Sequence, residues 1–250
     1  MKPKTEAEIE LMRVGGQKLA LILNKLAGEV KPGVSGKDIA AIAAAEVKKA
    51  DLQPILLGYE GYPDVICISV NDGIVHGVPT ATPFKEGDVV KLDLTVANKG
   101  MVVDSALTVV AGDAKPSADV QRLLSASKAS LDAGIAAIKG DGTRVGDIAA
   151  AVQDVLDKHK LGIVRDLVGH GVGYGVHEDP NVPNYGVAGT GPTLMSGMTI
   201  AIEPMATLGD WHVDFLADGW TVATHDGSLS AHFEHTVLIT EDGAEILTLP

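Results

Sequence analysis

The stretch Lys91-Leu-Asp-Leu-Thr-Val-Ala-Asn-Lys-Gly-Met-Val-Val-Asp-Ser-Ala-Leu-Thr-Val-Val110 decides the fold. Two β-rich runs flank Asn98-Lys99-Gly100, a turn signal, so the stretch reads as a β-hairpin. A two-residue loop at Asn98 and Lys99 pairs Ala97 with Gly100, Thr95 with Val102 and Asp93 with Asp104. A three-residue loop with Gly100 in a bulge shifts that register by one. In the first case two carboxylates face each other at about 5 Å between Cβ atoms, where like charges destabilise a sheet. The hairpin therefore calls for something positive between Asp93 and Asp104.

Working outward, helix signals cover about 5–30, 35–50, 117–139 and 143–160, with strand-like segments after each pair. Thr5 and Glu8 have capping-box spacing, and Lys31-Pro-Gly33 separates the first two helices. Lys37-Asp-Ile-Ala-Ala41 resembles Gly146-Asp-Ile-Ala-Ala150 at a constant offset. The order helix, helix, strands occurs twice, which suggests two α+β halves of about 5–112 and 116–250 within one domain, 1–250. Runs of strands with helices on one side favour α+β over a doubly wound fold, with a site in the cleft between the halves.

The chain has 250 residues, 46% of them hydrophobic, enough for a sizeable core. A formal charge of −13 disfavours DNA or an anionic membrane as partner. The single cysteine, Cys67, excludes an intrachain disulfide and fits a reducing compartment. With no apolar leader or membrane-length run, the reading is a soluble cytoplasmic protein.

Acids and histidines recur in four further segments: 71–79, 169–180, 198–204 and 231–239. Glu203 ends an apolar run before a proline and Glu234 opens the last long strand; buried carboxylates are costly unless paired or metal-bound. The basic residues lie mostly on the helices, which leaves divalent cations as the partner. Asp93, Asp104, Glu203 and Glu234 supply oxygen, and His170 between two glycines supplies nitrogen. Such a set suits a pair of ions such as Mn, Fe, Co, Ni or Zn. Two such ions lower the pKa of a shared water to about 7, which is hydrolytic machinery.

Here the residues resemble the short bacterial type I methionine aminopeptidases, from Thr5-Glu-Ala-Glu-Ile-Glu-Leu-Met-Arg13 through Gly58-Tyr-Glu-Gly-Tyr-Pro63 to Glu241-Asp-Gly-Ala-Glu-Ile-Leu-Thr-Leu249. The resemblance implies a pseudo-twofold "pita-bread" α+β fold, antiparallel sheets enclosing a central metal site with helices outside. It implies removal of the initiator methionine from N-terminal methionyl peptides and nascent chains by a dinuclear metallo-exopeptidase. It places Asp93, Asp104, His170, Glu203 and Glu234 as metal ligands, Asp104 and Glu234 bridging. Glu203 doubles as proton shuttle, His177 contacts the scissile carbonyl and His76 steadies the substrate. The methionine side chain lies against Tyr59, Tyr62, Cys67, Val176 and Trp220. Asn71, Gly73 and Ser230 match a monovalent-cation site. A monomer with transient ribosome contact completes the expectation.

Several positions depart from the family pattern. Val176 stands where phenylalanine is usual, Leu56 where cysteine and Glu60 where histidine are frequent. Leu167 takes a place usually aromatic or methionine, and Ser105 replaces a threonine. The altered rim suggests a wider pocket. Cys67, nine residues before His76, raises a thiol nucleophile as a rival, but its apolar strand favours a pocket wall. His212, His225, His232 and His235 read as surface or structural. The alternatives are an X-Pro aminopeptidase or dipeptidase of the same fold, whose members usually carry an extra N-terminal domain, or a catalytically silent binding relative.

Overall fold

The hairpin forms, and its turn falls one residue later than the sequence reading placed it. In the computed structural model, which describes residues 2–250, strands Val89–Asn98 and Met101–Val110 pair antiparallel. Asn98 lies opposite Met101, Thr95 opposite Asp104 and Asp93 opposite Ala106, so the expected Asp93–Asp104 pairing is corrected. The two-residue loop is Lys99-Gly100, with φ of 50° and 87°. A tight hairpin of the type I′ kind needs positive φ at both loop positions, and glycine supplies one at no steric cost. Moving a turn by one residue moves the register by two. Side chains alternate with period two, so the aspartates remain on one face as diagonal neighbours.

Four helices, α1 (Glu6–Glu29), α2 (Gly36–Lys49), α3 (Ala118–Ala136) and α4 (Val145–Lys158), fall within three residues of the expected ranges. The predicted capping box at α1 is present: the Glu8 carboxylate accepts from Thr5 N–H at 2.8 Å, and Glu8 N–H donates to Thr5 Oγ1 at 3.4 Å. Asp38 caps α2 by accepting from Ser35 N–H, and Asp147 caps α4 by accepting from Arg144 N–H. The loops beyond follow suit. Gly33, Phe84 and Lys37 donate to Phe84, Val34 and Thr80, while Gly142, Leu194 and Gly146 donate to Leu194, Thr143 and Thr190. Gly134 lets α3 lie close on α4, since a Cβ there would sit 2.8 Å from a Val152 methyl.

The nine-stranded central sheet runs in the order Gln53–Pro54, Val89–Asn98, Met101–Val110, Glu234–Ile239, Thr199–Ile202, Gly169–Gly171, Glu178–Val182. Cys67–Val70 also pairs with Val89–Asn98, and Ala244–Ile246 with Glu234–Ile239. The halves meet edge to edge where Glu234 lies opposite Ala106, so one sheet passes through both and the site lies on its face. Val90, Leu92, Leu94 and Val96 face the core under α1 and α2, and Ile200 and Ile202 face the core under α3 and α4. The alternate residues, Lys91, Asp93, Thr95 and Ala201, point the other way. No described helix is long and apolar enough to cross a membrane.

Candidate metal centre

Five adjacent strands each bring one metal-type side chain to the same face. Asp93 and Glu234 both lie opposite Ala106, from the strands on either side of it, and Asp104 is two residues along the middle strand. His235 pairs with Ile202, so Glu203, the next residue, continues the row beside Glu234. His170 pairs with Ala201, two residues before Glu203. The small methyl of Ala106 leaves the space above it to the carboxylates.

Hydrogen bonds fix this row. Asp104 Oδ1 accepts from Thr95 Oγ1 at 2.9 Å, and Asp104 N–H donates to Thr236 Oγ1 at 2.9 Å. Ser105 Oγ donates to Glu234 O at 2.8 Å, which ties the strand of Asp104 to that of Glu234. His170 Nδ1 lies 3.0 Å from Gly171 O. A carbonyl only accepts, so Nδ1 carries the proton and the Nε2 lone pair faces the carboxylates, the arrangement of a metal-ligating imidazole. Donor atoms of Asp104, His170 and Glu234 all lie within 4.8 Å of one another.

The electrostatics are those of a site built for cations. Burial pushes Asp93 and Glu234 well above the ordinary carboxylate range, and the neighbouring carboxylates, Asp104 first, push the same way. Burial also raises Asp104, against His170 and Thr95. Glu203 is pushed up to about 8 by burial, with His170 opposing and Asp104 adding. Among the described residues the ion-pair partners of these four acids are His170 and His232, both at Glu203 (3.4 and 3.2 Å). Glu234 Oε1 is buried with no hydrogen-bond partner. Four clustered acids without lysine or arginine partners, Asp104 and Glu234 buried and the latter with an orphaned oxygen, together with an imidazole lone pair, fit divalent-metal binding.

A cleft of about 110 Å³ opens on this row. It is lined by Tyr59, Tyr62, Cys67, His76, Val176, His177 and Trp220, the predicted substrate residues, together with Leu56, Glu60 and Thr95. Tyr62 donates to Gly77 O at 2.8 Å and meets Trp220 edge-on at 5.2 Å between ring centres. Val176 packs with Ala97, Val102 and Val172. Burial, then Asp93, pushes the Cys67 thiol well up, so it stays protonated and serves as wall rather than nucleophile. His76 holds φ of 57°, a conformation sparse for a non-glycine residue that turns the chain at the cleft. His177 Nδ1 lies 3.1 Å from Tyr59 OH, and its ring meets His170 edge-on at 4.5 Å. Burial, then the neighbouring histidines, lowers His76 and His177 to about 4, so both are neutral at pH 7.

Residues 10–241 match the model of metallopeptidase family M24. The chain belongs to this family. A methionine aminopeptidase of Bacillus subtilis (strain 168) is 42% identical over 245 residues, 98% of each chain. The crystal structure of methionine aminopeptidase from Thermotoga maritima superposes with a TM-score of 0.97 at 42% identity over 100% of both chains. Prolidase from Pyrococcus furiosus matches 99% of this chain and 65% of its own with a TM-score of 0.77 at 22% identity, a likeness of fold. The M24 chain has the pita-bread fold that the resemblance implied.

Two residues of this M24 chain were not legible as site residues. His232, read as surface or structural, is 1% exposed, and its Nε2 lies 3.2 Å from Glu203 Oε2. Its spacing of two from Glu234 was the available signal, because that spacing in a strand means a shared face. His235, one residue on, points away and hydrogen-bonds Thr248, while His212 and His225 pair with Asp210 and Asp214 at the surface. The second is Lys91, 1% exposed, whose Nζ donates to Asn71 O, Ser230 O and Val89 O. Asn71, Gly73 and Ser230 do come together: Asn71 O and Ser230 O accept from this ammonium, and Gly73 O lies 3.1 Å from Ser230 Oγ. Leu167 lines the neighbouring cleft with His76 and His177.

Proposed function

We propose that this M24 metallopeptidase removes the N-terminal methionine from peptides and newly made chains in the cytoplasm, by metal-dependent hydrolysis of the first peptide bond. The observation that carries the reading is the row Asp93, Asp104, Glu234, Glu203 and His170 opening on a cleft walled by Tyr62, Cys67, Val176 and Trp220. The relatives at 42% identity over nearly the whole chain carry the methionine specificity. One chain supplies all five ligands, so a monomer is a complete unit. The matched loop hydrogen bonds support reading about 5–112 and 116–250 as fused repeats of one domain. A net charge of −13 limits any ribosome contact to a local basic patch.

Asp93, Asp104, His170, Glu203 and Glu234 would hold two divalent ions. Bound divalent ions supply Lewis-acid activation of water and of the scissile carbonyl. Glu203, poised at about 8 by burial, takes the proton of the attacking water and passes it to the leaving amine. With Tyr59 donating to Nδ1, neutral His177 keeps Nε2–H as donor to the carbonyl oxygen as negative charge develops there. His76 steadies the adjacent amide. The apolar wall receives the thioether, and Cys67 offers it a soft neighbour.

The test is hydrolysis of Met-Ala-Ser and Ala-Pro-Ala by metal-stripped protein, with and without added Co, Mn or Fe. Metal-dependent release of methionine alone is expected; cleavage before proline would move the chain to the X-Pro alternative, and silence on both to the binding alternative. His177→Ala is expected to lower kcat about 100- to 1,000-fold, as for loss of an oxyanion donor. Metal content by elemental analysis should stay unchanged; a kcat near the parent value would remove His177 from the mechanism. The smaller Val176 is expected to let Leu-Ala-Ser react within about 100-fold of Met-Ala-Ser in kcat/KM, the range of one-methylene discrimination. Strict methionine selectivity would show that the pocket is no wider.

A further inference from the structure

We infer that the ε-ammonium of Lys91 takes the place of the monovalent cation that the family resemblance implied at Asn71, Gly73 and Ser230, so that this chain carries its own cation at the floor of the metal centre. An ammonium has three N–H donors and no acceptor. Lys91 Nζ meets three backbone carbonyls: Asn71 O at 2.8 Å, Ser230 O at 3.3 Å and Val89 O at 3.4 Å. Backbone carbonyls converging on one point are the ligand set by which proteins replace the hydration shell of an alkali ion. Here that point is occupied by nitrogen. Ser230 Oγ lies 3.1 Å from both Asn71 O and Gly73 O, its single proton shared between the two carbonyls. A second cation within a few ångströms of the ammonium would meet strong repulsion in a buried site.

The cradle is braced from outside. Asn71 sits in the left-handed region, at φ 56°; its Oδ1 accepts from Val89 N–H at 2.9 Å and its Nδ2 donates to Asp88 Oδ1 at 3.0 Å. The consequence reaches the metal centre through the backbone. Lys91 is two residues before Asp93 on one strand, and Ser230 lies in the segment that runs through His232 to Glu234. The ammonium thus fastens the strand of one half to the approach strand of the other. The seam beneath Asp93 and Glu234 is closed by a covalently attached cation, which does not depend on the salt outside.

The test uses the full chain and reads thermal unfolding in choline, sodium and potassium chlorides at one ionic strength, with metal content held constant. The wild type is expected to melt at the same temperature in all three. Lys91→Ala is expected to melt lower in choline and to regain stability saturably with sodium or potassium, as a ligand bound only by the folded state must act. Lys91→Met fills the space without the charge and should melt lower with no response to either ion. Lys91→Ser, smaller and polar, is read in the same way as Lys91→Ala should that variant not fold. A saturable gain of the wild type in sodium or potassium would overturn the inference, as would equal melting of the opened variants in all three salts.

Discussion

Replacing Glu203 by glutamine is expected to lower kcat for Met-Ala-Ser by about 100- to 10,000-fold, the usual share of a positioned general acid–base. Glutamine keeps the size of the side chain and one carbonyl oxygen, but it neither takes nor returns a proton. In the structure the carboxylate is held at both ends, Oε1 at 3.4 Å from His170 Nε2 and Oε2 at 3.2 Å from His232 Nε2. Burial places its pKa at about 8 before any metal is bound. Steady-state kinetics with elemental analysis on the same sample separates proton transfer from ligand loss. A large fall in kcat with metal still bound supports the shuttle, whereas a kcat within a few-fold of the parent would assign the proton to another group. His170 and His232 are the neighbours to examine in that case.

Stripping divalent metal is expected to abolish turnover, with recovery on adding it back, and to leave a protein whose stability is unusually sensitive to pH. Asp93, Asp104, Glu203 and Glu234 have raised folded pKa values, so the metal-free folded state keeps protons that the unfolded chain has released. Their contribution is unpenalised below the ordinary carboxylate range and is lost as pH rises toward about 8. His76, His177, His232 and His235, lowered to about 4, act in the opposite sense, but only as pH falls below the ordinary histidine value. From about pH 6.5 to 8 the carboxylates therefore act without the histidines. Bound divalent ions need these ligands deprotonated, and their binding releases the retained protons. The gap in Tm between metal-loaded and stripped protein should widen over that window. Comparing the two forms at each pH cancels the surface groups, and a constant or narrowing gap would contradict the assignment of these acids as ligands.

Much of the site was legible because chemistry and strand parity are written locally. Asp93 and Asp104 could be placed on one face from spacing alone, and that survived a register error of two residues. An error of one would have put the two aspartates on opposite faces of the sheet. The turn itself was misplaced because Asn98-Lys99 and Lys99-Gly100 are both plausible loops, and the choice rests on which pair takes positive φ. His232 was missed because histidine is common at surfaces, and only burial against Glu203 distinguishes it from His212 and His225.

The sequence by itself determined the helices, through their caps and periodicity, the alternation that gives each strand a core face and a site face, and the acid and imidazole inventory of the centre. Only the tertiary structure decided the order of the five strands across the sheet, and so which carboxylates share a neighbour. It alone showed Lys91 turned inward, since the carbonyls that hold its ammonium come from Asn71, Val89 and Ser230. A lysine in a strand is ordinarily an exposed residue. Its burial here is set by acceptors that are distant in the chain and meet when the two halves close.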